Sequence, residues 1–318
     1  MPVRILGDSE IYSSLKSKGF PAQSAYLAMY SSWLGGITTN PVFMQIPIDD
    51  HMVHRGDGVF EAIKTYGSKV VLFPEHWARM QRSAQAIGLP LSLGFEEVKE
   101  ILQDLYAFAS GKDVLFRLFL SRGPGGFTTN PYESIGSQFY VVMTAFKAYP
   151  EEKYKIGVTG KRSRTPVKPS WLAQAKTCNY LPNVIMRKEA VDAKVDFVVG
   201  FDESGFVAES STENVVVIND DNEIIHPNLD YILHGCTMKK VFDLAPNLGL
   251  KPLIKPITEE ELKQAKEVLV IGTTLDVVSM TKYEGLSIAD GQVGSYSQAL
   301  RQLLIKTQKE SDFDLNLF

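Results

Sequence analysis

The chain has 318 residues, a formal net charge of −4, and apolar and charged fractions of 44% and 22%. This length predicts two domains built around two cores, and the composition is typical of a soluble globular protein. The near-balanced charge and the lack of a long basic run argue against nucleic acid as a partner. No apolar run approaches the roughly 20 residues that span a bilayer, so a membrane partner is not expected either.

The first forty residues predict an N-terminal extension packed on the first domain, because apolar residues at helical spacing precede Gly35 and Gly36. The opening segment, Met1–Asp8, lacks the apolar core of a signal peptide, so we expect a cytoplasmic protein. The two cysteines, Cys178 and Cys236, lie in different motifs and predict free buried thiols rather than a disulfide framework.

The rest of the first half predicts a mixed α+β domain over residues 1–150. Period-two patterns bounded by glycines predict strands, and apolar residues every three or four positions predict helices. The predicted strands are Val59–Tyr66, Lys69–Phe73, Val114–Leu120 and Gln138–Phe146, and the predicted helices are Pro74–Gly88 and Phe95–Ala109. A glycine-rich loop separates the last two strands.

The second domain is predicted over residues 151–318, after a polar linker at 147–155 that contains Pro150. A strand at Lys155–Thr159 should open it. A helix is predicted from Leu181 to Lys194, and we expect it to bury Val184, Ile185 and Val191. A buried strand should end at Gly272, and a last helix is predicted at Ser297–Thr307.

Two segments of the second half could bind an anion. Gly235-Cys236-Thr237 opens a predicted helix, where backbone N–H groups are free. Gly272-Thr273-Thr274 follows a buried strand with small residues and hydroxyl groups, which suits a phosphate. A third cluster, Asp49-Asp50-His51 with His54, could suggest a metal site, but no distant ligand completes the set. We therefore expect no metal and place this cluster at the rim of a site or in a dimer interface.

The sequence around Lys176 carries a resemblance to a known family. The motifs K-T-C-N-Y-L-P-N (176–183) and G-F-V-A-E-S-S-T-E-N (205–214) resemble the signature of the class IV aminotransferases. These are the fold-type IV pyridoxal-phosphate enzymes, which include D-amino acid and branched-chain aminotransferases and aminodeoxychorismate lyase. The segments V-H-R-G-D-G-V-F-E (53–61) and H-G-C-T-M-K-K (234–240) are similar to the plant-type D-amino acid transaminases. The resemblance implies a small α/β N-terminal domain and a larger C-terminal pseudobarrel domain.

The resemblance also implies a pyridoxal 5'-phosphate site. Lys176 matches the Schiff-base lysine that then carries protons, and Glu209, rather than Glu213, matches the acid beside the pyridine nitrogen. Tyr180 resembles the tyrosine that hydrogen-bonds the ring hydroxyl. The phosphate group would be bound by Arg79, rather than Arg82, together with the two anion-binding segments, which supply Cys236, Thr237, Thr273 and Thr274.

The substrate is less well defined, because each subfamily's carboxylate-binding pattern is incomplete here. Phe60 stands where bacterial D-amino acid aminotransferases have tyrosine, and Phe127 where the lyase has arginine. Arg117 matches the carboxylate arginine of branched-chain enzymes, but Leu115 replaces their tyrosine. We expect Arg117 to bind the substrate carboxylate, with a structural ion pair as the alternative. The expected activity is transfer of an amino group between a D-amino acid or branched-chain L-amino acid and a 2-keto acid, by a homodimer. The alternatives are the lyase, which makes 4-aminobenzoate, and a non-catalytic cofactor-binding homologue.

Overall fold

A computed structural model describes residues 3–316 of the chain. Residues 1–2 and 317–318, which the predicted domains include, lie outside this range. The described residues form two β-sheets with helices packed on both, so the predicted α+β class is confirmed. No helix among them is both long enough and apolar enough to cross a bilayer.

The first sheet has six strands in the order β2-β1-β6-β5-β3-β4, and all of its pairings are antiparallel. Its strands are β1 (Tyr26–Ser31), β2 (Gly36–Thr38), β3 (Gly58–Tyr66), β4 (Lys69–Val70), β5 (Val114–Ser121) and β6 (Gln138–Ala145). Four helices accompany the sheet: α1 (Asp8–Ser17), α2 (His51–Arg55), α3 (Phe73–Ala86) and α4 (Phe95–Tyr106). In the predicted extension, Tyr12 of α1 stacks on Phe43 at a ring separation of 5.8 Å.

The second sheet has eight strands and mixed direction. Its order is β11-β10-β9-β12-β13-β7-β8, with β14 paired to β13. The strands are β7 (Val158–Arg162), β8 (Phe197–Val199), β9 (Asn214–Ile218), β10 (Glu223–His226), β11 (Lys251–Ile254), β12 (Glu267–Gly272), β13 (Asp276–Tyr283) and β14 (Leu286–Ser287). The helices are α5 (Glu151–Ile156), α6 (Ser170–Ala173), α7 (Leu181–Asp192), α8 (Cys236–Leu244), α9 (Glu259–Lys263) and α10 (Ser295–Lys309).

Each sheet has its own hydrophobic core. In the first half, α3 and α4 cover one face of the sheet, where Ile63, Phe73, Leu102 and Phe116 are fully buried. In the second half, the strands β9 and β12 are buried on both faces, which explains their near-continuous runs of valine, isoleucine and leucine.

The chain end returns to the first core. Phe313 packs on Phe73 at a ring separation of 4.6 Å, Leu315 is buried in the same cluster, and the backbone N–H of Val70 donates to the carbonyl of Phe313. The last described residues therefore stabilise the first sheet, although they follow the second one in sequence.

Three predictions of local structure are wrong. The apolar spacing before Gly35 predicts a helix in an extension, but Tyr26–Ser31 forms the strand β1, which pairs with β6 inside the first sheet. The segment predicted as a linker and strand forms α5, with Glu151 and Glu152 in its first turn, and ends at Gly157, whose φ of 79° suits glycine. The strand β7 therefore begins later than predicted.

The prediction of which residues α7 buries is also wrong, because Val184, Ile185 and Val191 are exposed. The helix instead buries Asn183, Met186 and Ala190, which have the same helical spacing. Met186 and Ala190 pack against Val198 of β8.

Candidate active site

The two sheets face each other across a cavity of about 480 Å³. Its first wall is built by strand register: Phe60 pairs with Phe119, and Ala62 pairs with Arg117, across β3 and β5. Side chains two positions apart share one face of a sheet, so these residues and Leu115 line the same wall. The cavity volume falls in the roughly 300–1,000 Å³ range of small-molecule sites.

The second wall comes from three segments of the C-terminal half. The strand β12 ends at Gly272 and leads into Thr273 and Thr274, α8 begins at Cys236, and Tyr180 precedes α7. The residues that line this wall are Tyr180, Thr212, Glu213, Asn214, Leu233, Gly235, Cys236, Thr237, Ile271, Gly272, Thr273 and Thr274. Both predicted anion-binding segments thus border one cavity.

Lys176 enters this cavity from a backbone that is held at three points. Its N–H donates to Ser83 Oγ (3.0 Å), its carbonyl accepts from the N–H of Phe60 (3.0 Å), and the next residue, Thr177, forms a β-bridge with Val59. Its Nζ lies 4.6 Å from the centre of the Phe60 ring.

The ammonium form of Lys176 is disfavoured in this position. Burial and the positive charge of Arg79 lower the pKa of Lys176 to about 8, against the opposing effect of Glu61 and Glu209. A substantial fraction of the amine is therefore neutral, and nucleophilic, near physiological pH.

Glu209 is buried close to Lys176 without bordering the cavity directly. Its Oε2 accepts a hydrogen bond from the N–H of Leu233 (2.9 Å). Burial raises the pKa of Glu209, while that hydrogen bond and the cations Lys168 and Lys176 oppose the rise. A positive charge placed beside this carboxyl group would stabilise its ionised form.

The ring of Tyr180 lies near the amines of Lys168 and Lys176. Its ring packs edge-on against Phe60 (5.0 Å between centres), and Lys168 Nζ lies 5.0 Å from its centre. Burial, followed by the charge of Glu209, raises the pKa of the Tyr180 phenol, so the hydroxyl is protonated and able to donate a hydrogen bond.

Arg79 is held in place by an acid that the sequence analysis missed. Arg79 Nε donates to Glu61 Oε1 and Nη2 donates to Oε2, both at 2.7 Å, while Nη1 donates to the carbonyl of His234 (3.1 Å). Glu61 is fully buried, and burial alone would raise its pKa, but the Arg79 guanidinium holds it well below its usual range.

A signal for Glu61 is present in the sequence. Val59 and Ile63, two positions to either side of Glu61 in β3, share its buried face. An acid in the middle of a buried alternating face requires a cationic partner, and Arg79 on the following helix is the candidate.

The start of α8 leaves hydrogen-bond donors available to a ligand. No side chain caps the helix at Gly235, and within residues 3–316 the buried Thr237 Oγ1 has no hydrogen-bond partner. A β-carbon at Gly235 would lie 2.0 Å from Asn214 Oδ1, so only glycine allows this close approach. Free helix N–H groups, an orphan hydroxyl and a fixed arginine fit a phosphate group.

The sequence analysis also considered four other residues, of which two border the main cavity and two do not. Phe127 is exposed and packs against His54 at 5.2 Å, away from the cavity. Glu213 borders the cavity, but its carboxylate accepts from the N–H and hydroxyl of Thr212. Arg82 is exposed and lines a second cavity behind α8. Arg117 borders the main cavity, and its Nη1 donates a long hydrogen bond to Thr144 Oγ1 (3.5 Å).

In the cluster near α2, Asp50 makes structural contacts. Asp50 caps α2 through the N–H of Met52 (2.8 Å) and accepts a hydrogen bond from the Ser121 hydroxyl. Among the residues that the structure describes, no three histidine, cysteine or acidic side chains are placed to hold a metal ion. Cys178 and Cys236 are free thiols.

The comparisons with known proteins identify the family to which the chain belongs. The sequence model of the amino-transferase class IV family matches residues 58–283, so the chain belongs to the class IV aminotransferases, and the predicted resemblance is confirmed. It is an enzyme that transfers an amino group between an amino acid and a 2-keto acid.

One relative and two solved structures illustrate the similarity. The chain is 34% identical over 316 residues to "D-amino-acid transaminase, chloroplastic" of Arabidopsis thaliana, which covers 96% of this chain and 83% of that protein. The branched-chain amino acid aminotransferase of Escherichia coli has a TM-score of 0.84 at 21% identity, covering 90% and 95% of the two chains. The 4-amino-4-deoxychorismate lyase of Pseudomonas aeruginosa has a TM-score of 0.72 at 22% identity, covering 83% and 96%. The predicted fold-type IV architecture is thus confirmed.

Proposed function

We propose that the protein binds pyridoxal 5'-phosphate on Lys176 and transfers the amino group of a D-amino acid to a 2-keto acid. The observation that carries this proposal is that Lys176, whose pKa is lowered to about 8, lines one cavity together with Arg79 and the first turn of α8, and that Glu209 is close enough to influence its pKa. A structurally similar branched-chain amino acid aminotransferase, with a TM-score of 0.83, was solved with pyridoxamine 5'-phosphate. The phosphate group would be bound by Arg79, the first turn of α8 and the Gly272–Thr274 segment. Glu209 would face the pyridine nitrogen.

In this proposal, Lys176, Glu209 and Tyr180 would have different roles in the reaction. When bound, the cofactor supplies an electron sink for the pair released as the substrate's Cα–H bond breaks. Lys176 would act as the general base that accepts the substrate's Cα proton and as the general acid that returns a proton. Glu209, as a carboxylate, would favour a protonated pyridine nitrogen, and the Tyr180 hydroxyl would donate a hydrogen bond to the ring oxygen of the cofactor.

The substrate carboxylate would be bound by Arg117. This side chain lies on the wall opposite the second sheet, in register with Ala62, and a guanidinium binds a carboxylate through two parallel hydrogen bonds. Phe60 and Phe119 leave an apolar surface beside it. The choice of a D-amino acid rests on the similarity to the Arabidopsis thaliana transaminase over almost the whole chain.

Transfer from different donors tests this assignment. Purified protein with pyridoxal phosphate and 2-oxoglutarate should convert D-alanine to pyruvate faster than it converts L-leucine to its keto acid. Lys176→Ala should abolish transfer, and Lys188→Ala, which changes an exposed lysine on α7, should leave it intact. A preference for L-leucine would overturn the stereochemical choice. Formation of 4-aminobenzoate from aminodeoxychorismate without any transfer would favour the lyase.

We also propose that the active enzyme is a homodimer. Exposed apolar side chains gather around α2 and the loop after β5, including Ile48, Val53 and Phe127, the last with 72% of its surface exposed. Exposed apolar patches of this kind mark interaction sites. His51 and Arg55 on the same helix also have buried nitrogen atoms without partners in the described chain.

Sedimentation of matched variants tests the dimer. Wild-type protein should sediment as a dimer, and Phe127→Asp should weaken association, because it buries a charge in the contact. Phe108→Asp changes an exposed phenylalanine after α4, on the other side of the first sheet, and should remain dimeric. A monomeric wild-type enzyme with full activity would contradict the proposal.

A further inference from the structure

A buried ion pair joins the first sheet to a turn that borders the active-site cavity. Lys64 Nζ on β3 lies 2.6 Å from Asp276 Oδ1 at the start of β13, and only 1% and 7% of the two side chains are exposed. Lys64 Nζ also donates to the Tyr66 hydroxyl (3.3 Å), which makes a long contact with Asp276 Oδ2 (3.5 Å). Two residues of the first sheet thus contact one carboxylate of the second sheet.

The strand β3 presents these two residues on the face that lines the cavity. Phe60 and Ala62 border the cavity, and Lys64 and Tyr66 follow them at alternate positions, so all four share one face of the strand. Leu115, which pairs with Lys64 across β3 and β5, borders the cavity as well. The ion pair therefore lies on the same side of the first sheet as the cavity wall.

Asp276 closes the turn over residues 273–275, which borders the cavity through its two threonines. The backbone of Asp276 pairs with that of Gly272 at the end of the β12–β13 hairpin. Its φ of 58° lies in the left-handed region, which aspartate enters more readily than most residues. The carbonyl of Leu275 accepts a hydrogen bond from the Tyr154 hydroxyl (2.8 Å), so the turn is also held from the side of α5.

The ion pair is better suited to fixing a geometry than to adding stability. The cost of removing two charges from water offsets most of their attraction, and apolar side chains of similar size would hold two sheets together as well. A charged pair instead favours one relative placement of the two segments, since a displacement leaves a buried charge without its partner. Here those segments are β3 and the turn over residues 273–275.

We propose that Lys64 is a positioning residue that, through Asp276, fixes the turn over residues 273–275 for binding of the cofactor phosphate. The other side of the phosphate site depends on the same strand, because Glu61 of β3 accepts two hydrogen bonds of 2.7 Å from Arg79. The strand β3 thus places both the arginine and the turn. This inference rests on the proposed function, since it takes Arg79 and this turn as the groups that bind the phosphate.

Hydrogen–deuterium exchange of the full-length protein without cofactor tests the placement of the turn. The double variant, Lys64→Met with Asp276→Asn, avoids the uncompensated buried carboxylate that Lys64→Met alone would leave, and asparagine tolerates the left-handed φ. Its peptides over residues 272–276 should exchange about tenfold faster than in the wild type, because local opening of the turn costs less free energy. The control Lys69→Met, which breaks the ion pair of β4 with Asp314, should leave these peptides unchanged.

Urea unfolding shows whether the variants are folded. The double variant should unfold at a higher urea concentration than Lys64→Met, because it buries no unpaired charge. If the double variant does not fold, Asp276→Asn alone tests the same contact. It leaves Lys64 an uncharged hydrogen-bond acceptor, so its effects on exchange and on cofactor binding should be smaller and in the same direction.

Cofactor binding with and without the phosphate group separates positioning from a general loss of stability. In absorbance titrations, the double variant should lose about tenfold or more of its affinity for pyridoxal phosphate, the range for a lost hydrogen bond to a charged group. Its affinity for pyridoxal should change little, because pyridoxal has no phosphate for the turn to bind. Lys64→Arg, which keeps the positive charge, should retain most of the affinity for pyridoxal phosphate, and Lys69→Met should retain all of it.

The outcomes distinguish this inference from the proposed function. If the double variant binds pyridoxal phosphate as tightly as the wild type, or loses affinity for both compounds equally, the positioning role is wrong and the proposed function stands. Unchanged exchange over residues 272–276 would also overturn the positioning role. If exchange rises as expected but the wild-type protein binds neither compound, the ion pair does position the turn and the proposed function fails.

Discussion

The reactivity of Lys176 at different pH values gives the most direct test of the site. With a pKa of about 8, roughly one Lys176 amine in eleven is neutral at pH 7, whereas the ordinary value of 10.5 would leave about one in three thousand. The difference is close to 300-fold in reactive amine, equivalent to about 3.4 kcal/mol. Burial is the largest cause, followed by the charge of Arg79.

The assay is reductive labelling of the protein without cofactor, using pyridoxal and cyanoborohydride between pH 6 and 10.5. Labelled Lys176 peptide, normalised to peptides from surface lysines in the same digest, should reach half its maximum near pH 8. The normalisation removes the pH dependence of the reagent itself.

Two substitutions should move this midpoint in the same direction but by different amounts. Lys168→Met and Arg79→Met each remove a positive charge that lowers the pKa of Lys176, so each should raise the midpoint. The shift should be larger for Arg79→Met, because Arg79 is the stronger of the two influences. Labelling of Lys176 that follows the surface lysines, or a midpoint that neither substitution moves, would refute the reasoning.

Three further predictions concern stability, cofactor affinity and substrate binding. Lys64→Met should lower the free energy of unfolding in urea by about 3–5 kcal/mol, because it leaves Asp276, its buried partner at 2.6 Å, without a counter-charge; a cost below about 1 kcal/mol would contradict this. Gly235→Ala should weaken cofactor binding, measured by absorbance titration, because the added β-carbon would lie 2.0 Å from Asn214 Oδ1. The control Gly36→Ala should leave cofactor binding unchanged, because its β-carbon would have no neighbour within 4 Å. Arg117→Met should lower kcat/KM for the amino donor by about 10- to 150-fold, the range for a lost hydrogen bond to a charged group, with little change in cofactor affinity. An unchanged kcat/KM would favour a structural role for Arg117.

The residues around the cavity could be predicted from the sequence because they lie in compact motifs. Lys176 and Tyr180 share one short segment, and Thr237 and Thr273 each follow a glycine at the start of a loop or helix. The structure brings all four to one cavity. The resemblance of these motifs to a known family is informative here, since each motif fixes its own backbone and needs only the sheet topology to converge.

Contacts between distant segments could not be predicted in the same way. Lys64 and Asp276 are 212 residues apart, and each alone resembles an ordinary charged residue of a strand. The return of Phe313 to the first core is similar, because an aromatic residue near a chain end fits many packing partners. Burial depends on which surfaces meet, and a single sequence does not specify that for isolated residues.

The α7 helix shows why an apolar pattern is not sufficient. Two stripes of residues have helical spacing, and the pattern predicts that the larger side chains, Val184 and Ile185, face inward. The structure buries the stripe with Ala190 instead, since its smaller side chain allows the helix to approach β8 closely. The exposed stripe then remains available for another contact.

The ion pair between Glu61 and Arg79 determines the charges that are buried around the cavity. Glu61 takes two of the guanidinium N–H groups, which fixes Arg79 at the end of the cavity and allows a full positive charge to remain buried there. The charge of Arg79 in turn lowers the pKa of Lys176 and so favours its neutral, nucleophilic amine. The same arginine would bind a phosphate. Burial raises the pKa of Glu209 instead, so a cation placed beside it would favour the carboxylate and be stabilised in return. A ligand with both an anionic group and a protonatable ring nitrogen therefore complements both charges, Arg79 in the cavity wall and Glu209 buried near it, whereas a simple anion or a simple amine complements only one.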